Sequence, residues 1–301
     1  MSLDQRGWTT LLRQIHKGQC TPVIGAGASA TIVPGAARLA RSWAREYDYP
    51  LADDQDLARV SQYIALVDYP ARPKEMMLEA LAAVGDVDLG GTPYPYLAQL
   101  PFPLYITTNY DDMICRSLRP EKSPAIDYCR WNDYESIEER VPPGRTHRPS
   151  VAQPLVYHLH GQADWIDSLV LTEEDYLDFL ISAAEDSQHR SQFLRSDIRT
   201  ALAGSSLLFI GYRLSDWTFR VLFRGLMRTI RANTQKPAVA IQLVPGEDEV
   251  APGKVAEAQE YLQRYLTQLH HVPSLAMYWG DATQFARELL ERYEEYVRGG
   301  D

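Results

Sequence analysis

Four short stretches put small or polar residues directly after apolar runs, where a backbone or side chain can do chemistry. Gly25-Ala26-Gly27-Ala28-Ser29 follows CTPVI, and Thr107-Thr108-Asn109-Tyr110-Asp111 follows LYI. His158-Leu159-His160-Gly161 closes LVYHLH, and Gly211-Tyr212-Arg213-Leu214-Ser215-Asp216 follows SLLFI. The first has the form of a phosphate cradle, because small residues let backbone N–H groups approach phosphate oxygens, and with Ala30 it reads as G-x-G-x-x-A. Plainer roles stand beside these. Asn109 and Asp111 can shape a turn and cap the helix beginning DDMICRSL. His158 and His160 alternate onto one strand face, as core histidines or as two metal ligands lacking a third. Asp281, with Gln284 three residues on, reads as a helix cap.

The elements that must position these groups follow from the apolar pattern. Six runs read as strands, at 20–25, 104–108, 155–160, 206–211, 238–244 and 275–280. They are nearly continuous in Val, Ile, Leu and aromatic residues, as in strands covered on both faces. Helical periodicity fills the gaps at 57–67, 74–84, 191–203 and 283–297. Alternating strands and helices predict a Rossmann-like α/β fold, a doubly wound, mainly parallel six-stranded sheet. Residues 1–301 are expected to form one domain. Its core covers about 15–34, 99–172 and 204–297, and a helical subdomain covers about 35–98 and 173–203. In such a sheet ligands bind beyond the carboxyl ends of the strands. All the stretches above, and Gly280-Asp281 after the last strand, fall at that edge and belong to one site.

A hydride-transfer enzyme does not fit the residues after the glycine loop. The dinucleotide fingerprint needs a helix directly after the loop and a second strand ending in an acid about twenty residues on. Here Pro34-Gly35 interrupts the chain, and Glu46 and Asp48 close a helical stretch instead.

Bulk properties narrow the class. The 301 residues are 45% hydrophobic and carry a formal charge of −10, which argues against a protein built to grip nucleic-acid backbones. No signal-like or membrane-spanning apolar run is present, so the expected location is cytoplasmic. Cys20, Cys115 and Cys129 form no C-x-x-C pair, which excludes a four-cysteine zinc ribbon and fits a reducing compartment.

The ordered set GAGAS, TTNYD, HLHG and GYRLSD resembles the sirtuins, and more closely their bacterial NAD-hydrolysing relatives in antiphage defence than the protein deacylases. PYLAQLPFPLYITTNYD and LVLTEEDYLDFL are similar to the same subgroup, and the resemblance extends over about residues 15–295. It implies that NAD is a substrate, with no metal. It further implies that Gly25, Ala26, Gly27 and Ser29 hold the pyrophosphate and nearby ribose, with Thr108 in the same NAD site. Asn109 and Asp111 would sit near the nicotinamide ribose, and His160 would be the catalytic histidine. Gly211, Ser215 and Asp216 would hold the adenosine side, and Asp281 would lie near the adenine. The deacylase pattern fails in two places: Ile32-Val-Pro-Gly-Ala-Ala37 replaces its Gly-Ile-Pro-Asp-Phe-Arg stretch, and its zinc module is missing.

The expected activity is therefore NAD+ hydrolysis to nicotinamide and ADP-ribose. Because such an activity is toxic, the resemblance implies control by self-assembly or by a separate partner, such as a HerA-type ATPase or an Argonaute-type protein. An NAD-dependent deacylase and a non-catalytic NAD or ADP-ribose sensor are the alternatives.

Overall fold

The computed structural model describes residues 3–132, 146–186, 194–195, 198–199, 204–213, 239–244, 253–270 and 275–299. Helix α1 (Gln5–His16) begins where the Asp4 carboxylate accepts from the Gly7 amide, and it buries Trp8, Leu11, Leu12 and Ile15. Strand β1 (Cys20–Ile24) comes next, then a single 3-10 turn (Ala26–Ser29) and helices α2 (Ala36–Glu46), α3 (Leu57–Val67), α4 (Arg72–Ala82) and α5 (Tyr94–Gln99). After these come β2 (Leu104–Thr107), α6 (Met113–Leu118), β3 (Ala125–Tyr128), β4 (Leu155–His158), α7 (Glu173–Asp186) and β5 (Ser206–Arg213). The chain closes with β6 (Val239–Val244), α8 (Val255–His270), β7 (Leu275–Trp279) and α9 (Ala282–Arg298).

The strands form one sheet in the order β3-β4-β2-β1-β5-β6-β7, and every pairing is parallel. The α/β, Rossmann-like expectation holds, but the sheet has seven strands among the described residues where six were expected. The added strand, β3, is a four-residue edge strand, Ala-Ile-Asp-Tyr, with Asp127 inside it. So short and polar a run lacks the apolar continuity of its neighbours. Residues 191–203, read as helical, lie largely outside the described residues.

Successive residues of the central strands face opposite apolar layers, which is the physical reason those strands read as uninterrupted apolar runs. Leu104, Ile106, Leu155, Tyr157, Leu207 and Phe209 pack in one layer with Phe179 of α7. Tyr105, Val156, Leu208 and Ile210 pack in the other with Trp8, Leu97, Cys115 and Phe285, from α1, α5, α6 and α9. A third cluster joins Trp43, Val60, Ile64, Met76 and Met77 of α2 to α4 with Leu171. It is tied to α7 by the Lys74–Asp175 ion pair at 3.1 Å. Trp8 and Trp43 are thus core residues, and all three cysteines are buried. Among the described residues, no helix is long and apolar enough to cross a membrane.

Candidate active site

Strand order places the chemistry. From β1 the chain lays β2 beside it, passes to the edge for β3, fills the gap between them with β4, and then returns to lay β5 on the other side of β1. The β1–β5 boundary is therefore the topological switch point, the place where ligands bind in open parallel sheets. Ile24 pairs with both Thr107 and Ile210, and Thr107 pairs with His158, so four strands reach one level. Gly25, Thr108, Asn109, Leu159, His160 and Gly211 all lie within two residues beyond it.

The glycine turn is locked to β5 by backbone contact. The Gly25 amide donates to the Ile210 carbonyl at 2.8 Å. A methyl on Gly27 would lie 2.6 Å from the Gly211 carbonyl oxygen, and one on Gly25 would lie 2.7 Å from the Tyr212 ring. Gly211 itself has φ +76°, and a methyl there would lie 2.4 Å from the Ala28 amide nitrogen. Close packing thus demands these glycines whether or not a phosphate is bound. Ala26 is exposed and Gly27 half-buried, while Ser29 is buried. Thr108 is half-buried beside them, with its amide on the Ile24 carbonyl at 2.9 Å.

Asn109 is the most constrained group. Its amide nitrogen Nδ2 donates to the Gly25 carbonyl (3.3 Å), Ser29 Oγ (3.3 Å) and Tyr94 Oη (3.1 Å). A carbonyl can only accept, so nitrogen must face Gly25 and the oxygen, Oδ1, must face the other way. That oxygen is buried and has no partner among the described residues. The Asn109 backbone is held too: its N–H donates to Thr107 Oγ1 at 3.0 Å, and its carbonyl accepts from His158 Nδ1 at 2.9 Å. His158 is therefore protonated on Nδ1, and its Nε2 is left buried without a partner.

Asp111 joins the same cluster. Ser29 Oγ donates to its Oδ2 at 3.2 Å, and its Oδ1 accepts from the Met113 amide at 3.1 Å, at the start of α6. The turn-forming role and the site position are thus both realised. Burial pushes its carboxyl up to about 6, against the downward pull of the Met113 and Ser29 hydrogen bonds.

His160 lies just beyond β4, and α7 covers it. Tyr176 and Phe179 meet its ring edge-on, with centroids 5.6 and 4.9 Å away. Burial lowers its pKa to about 3, and its Nε2 has no partner among the described residues. Burial likewise lowers His158 to about 4. Gly161, at φ +86°, has no room for a side chain, because a methyl would lie 2.1 Å from the Ser168 carbonyl. Among the described residues no group of three ligating side chains forms around the two histidines.

Two expected positions lie beyond the described residues, Ser215 and Asp216. Another stands apart: Asp281 caps α9, its Oδ1 accepting from Thr283 and Gln284 amides at 2.8 and 3.0 Å, at the end of the edge strand β7. Tyr94 and Tyr212 were missed by sequence reasoning. Tyr94 sits one residue before PYLAQLPFPLYITTNYD, in a stretch whose only signal is helical packing.

Comparison with known proteins agrees with this architecture. A family model described as SIR2-like domain matches residues 103–270, more than half of the chain. Three curated proteins, each named NAD(+) hydrolase ThsA, are similar to it. That of Cytobacillus dafuensis is 26% identical over 207 residues, covering 68% of this chain and 37% of the relative. That of Enterococcus faecium is 28% identical over 148 residues, covering 48% and 26%. That of Acinetobacter baumannii is 22% identical over 300 residues, covering 94% and 55%. The chain thus spans from 26% to 55% of the length of these relatives.

Proposed function

Because the chain belongs to the SIR2-like domain family, we propose that it is an NAD+ hydrolase that cuts the nicotinamide–ribose bond and releases nicotinamide and ADP-ribose. Two polar atoms carry this assignment. Asn109 Oδ1 and His160 Nε2 are buried and unpartnered, and they come after adjacent paired strands beside the glycine turn. Buried polar atoms without partners are costly, and a substrate hydroxyl or water that pairs them offsets that cost.

Nicotinamide leaves as a neutral ring, and positive charge develops on the ribose. Asn109 Oδ1 accepts from the attacking water or a ribose hydroxyl and fixes its direction. Asp111 orders the loop and adds negative charge near the developing oxocarbenium ion. His160 hydrogen-bonds a ribose hydroxyl and takes a proton at Nε2. Gly25, Ala26, Gly27, Ser29 and Thr108 face the pyrophosphate and its ribose. Gly211, with Ser215 and Asp216, takes the adenosine side. Residues 1–301 act as one domain, with the helices of 35–98 and 173–203 as its smaller part.

The biological role proposed is depletion of NAD in antiphage defence, held off until assembly or a partner such as a HerA-type ATPase or an Argonaute-type protein engages. Burial of His160 beneath Tyr176 and Phe179 supports such control, since a base sealed from solvent cannot reach substrate until α7 shifts. The test is nicotinamide release from NAD without any acyl-peptide, with and without candidate partners. Release that requires an acyl-lysine peptide would make the protein a deacylase, and tight NAD binding without turnover in every assembly would make it a sensor.

A further inference from the structure

We infer that Tyr94 is a positioning residue that links the carboxylate of Asp111 to the side-chain orientation of Asn109. This rests on the hydrolase assignment above and adds to it a residue outside the four motifs. Tyr94 opens α5, is 1% exposed, and has its hydroxyl between Ser29 Oγ at 2.5 Å and Asn109 Nδ2 at 3.1 Å. Hydrogen-bond directions along this relay are set by its ends. Asp111 Oδ2, when ionised, can only accept, so Ser29 donates its one hydroxyl proton there. Ser29 must then accept from Tyr94, and Tyr94 must accept from the Asn109 amide. Each link therefore turns the nitrogen of Asn109 toward the protein and its oxygen toward the site. Burial and the nearby Asp111 charge hold the Tyr94 phenol well above its ordinary pKa, so it stays a neutral donor.

Protonation of Asp111 removes the acceptor that fixes the Ser29 and Tyr94 hydroxyl directions and leaves the Gly25 carbonyl as the acceptor that still orients Asn109, so the amide is held less firmly. His158 and His160 are held neutral by burial, the Cys115 thiol is pushed up to about 12, and Asp112 is paired with Arg119 at 3.6 Å. Asp164, near His158, adds negative charge from the β4 side.

The test is Tyr94→Phe, compared with the parent across pH 5 to 8 by nicotinamide release and by the NMR signals of the Asn109 side-chain amide. For the parent, kcat should fall with acid around pH 6, and the amide signals should move over the same range. In Tyr94→Phe, KM for NAD should stay within about threefold while kcat drops about tenfold, and the pH response of the amide signals should flatten. An unchanged kcat, or an amide pH response kept intact, would overturn the inference while leaving the hydrolase assignment standing. Absence of nicotinamide release by the parent in every assembly and with every candidate partner would instead overturn the hydrolase assignment, and the amide signals alone would then decide the role of Tyr94. Should Tyr94→Phe fail to fold, Ser29→Ala cuts the same relay one link on. Amide signals that still follow pH in that variant would contradict the relay, and signals that no longer move would support it.

Discussion

Gly27 and Gly211 touch backbone to backbone: a methyl on Gly27 would stand 2.6 Å from the Gly211 carbonyl oxygen. The glycine turn and the end of β5 are thus one rigid unit. Gly211→Ala, which adds both a collision and a left-handed strain, is expected to cost about 1–3 kcal/mol and to abolish NAD binding. Gly18→Ala is the control, since Gly18 has φ +65° but nothing within 4 Å of a methyl. It should cost about 1 kcal/mol and leave NAD binding alone. Urea unfolding and calorimetric titration separate the two.

Asp111 should trade stability for function. Its carboxyl, held at about 6 in the folded chain, sits above the unfolded value, so the folded state binds the extra proton. Stability from this group is present at low pH and is lost as pH rises through about 4 to 6. Asp111→Asn is therefore expected to raise stability by about 1–2 kcal/mol at pH 8 and to have no stabilising effect at about pH 4. Nicotinamide release should fall about a hundredfold. A variant that is destabilised at pH 8 contradicts the account.

The buried histidines act in the opposite sense. Their folded values, about 4 for His158 and about 3 for His160, lie below the ordinary 6.5, so the unfolded chain takes up protons first. Stability should fall as pH drops from about 6.5 toward 4. His160→Gln should make that slope shallower by about one proton, measured as the pH dependence of the urea midpoint.

Removing part of the cover over His160 should release activity. Phe179→Leu leaves the ring edge less enclosed. Partner-free nicotinamide release is expected to rise about threefold or more, by the ratio of a small shift in an open–closed equilibrium. If release stays at the parent level without a partner, α7 is not what holds the site closed.

Much of this was legible in the sequence because the central strands are buried on both faces and stay apolar throughout. Their ends could then be aligned by fold rules alone, which put Asn109, Asp111, His160, Gly25 and Gly211 together. Edge strand β3 escaped notice because Asp127 breaks its apolar run. Tyr94 was hidden for a different reason: an aromatic residue on a helix reads as packing, and only the tertiary structure brings its hydroxyl to Ser29 and Asn109. The glycines were read as room for phosphate, whereas part of their need comes from Gly211 and Tyr212, about 185 residues away in the chain.

Hydrolysis of NAD at this site is tested most directly by incubating the protein and its Asn109→Ala variant, with candidate partners present, with NAD in 18O-water and weighing the products. Equal amounts of nicotinamide and ADP-ribose should form, with one 18O in the ADP-ribose, and Asn109→Ala should lose at least about a hundredfold of that rate. Product formation unaffected by Asn109→Ala, or ADP-ribose without the heavy oxygen, would contradict it.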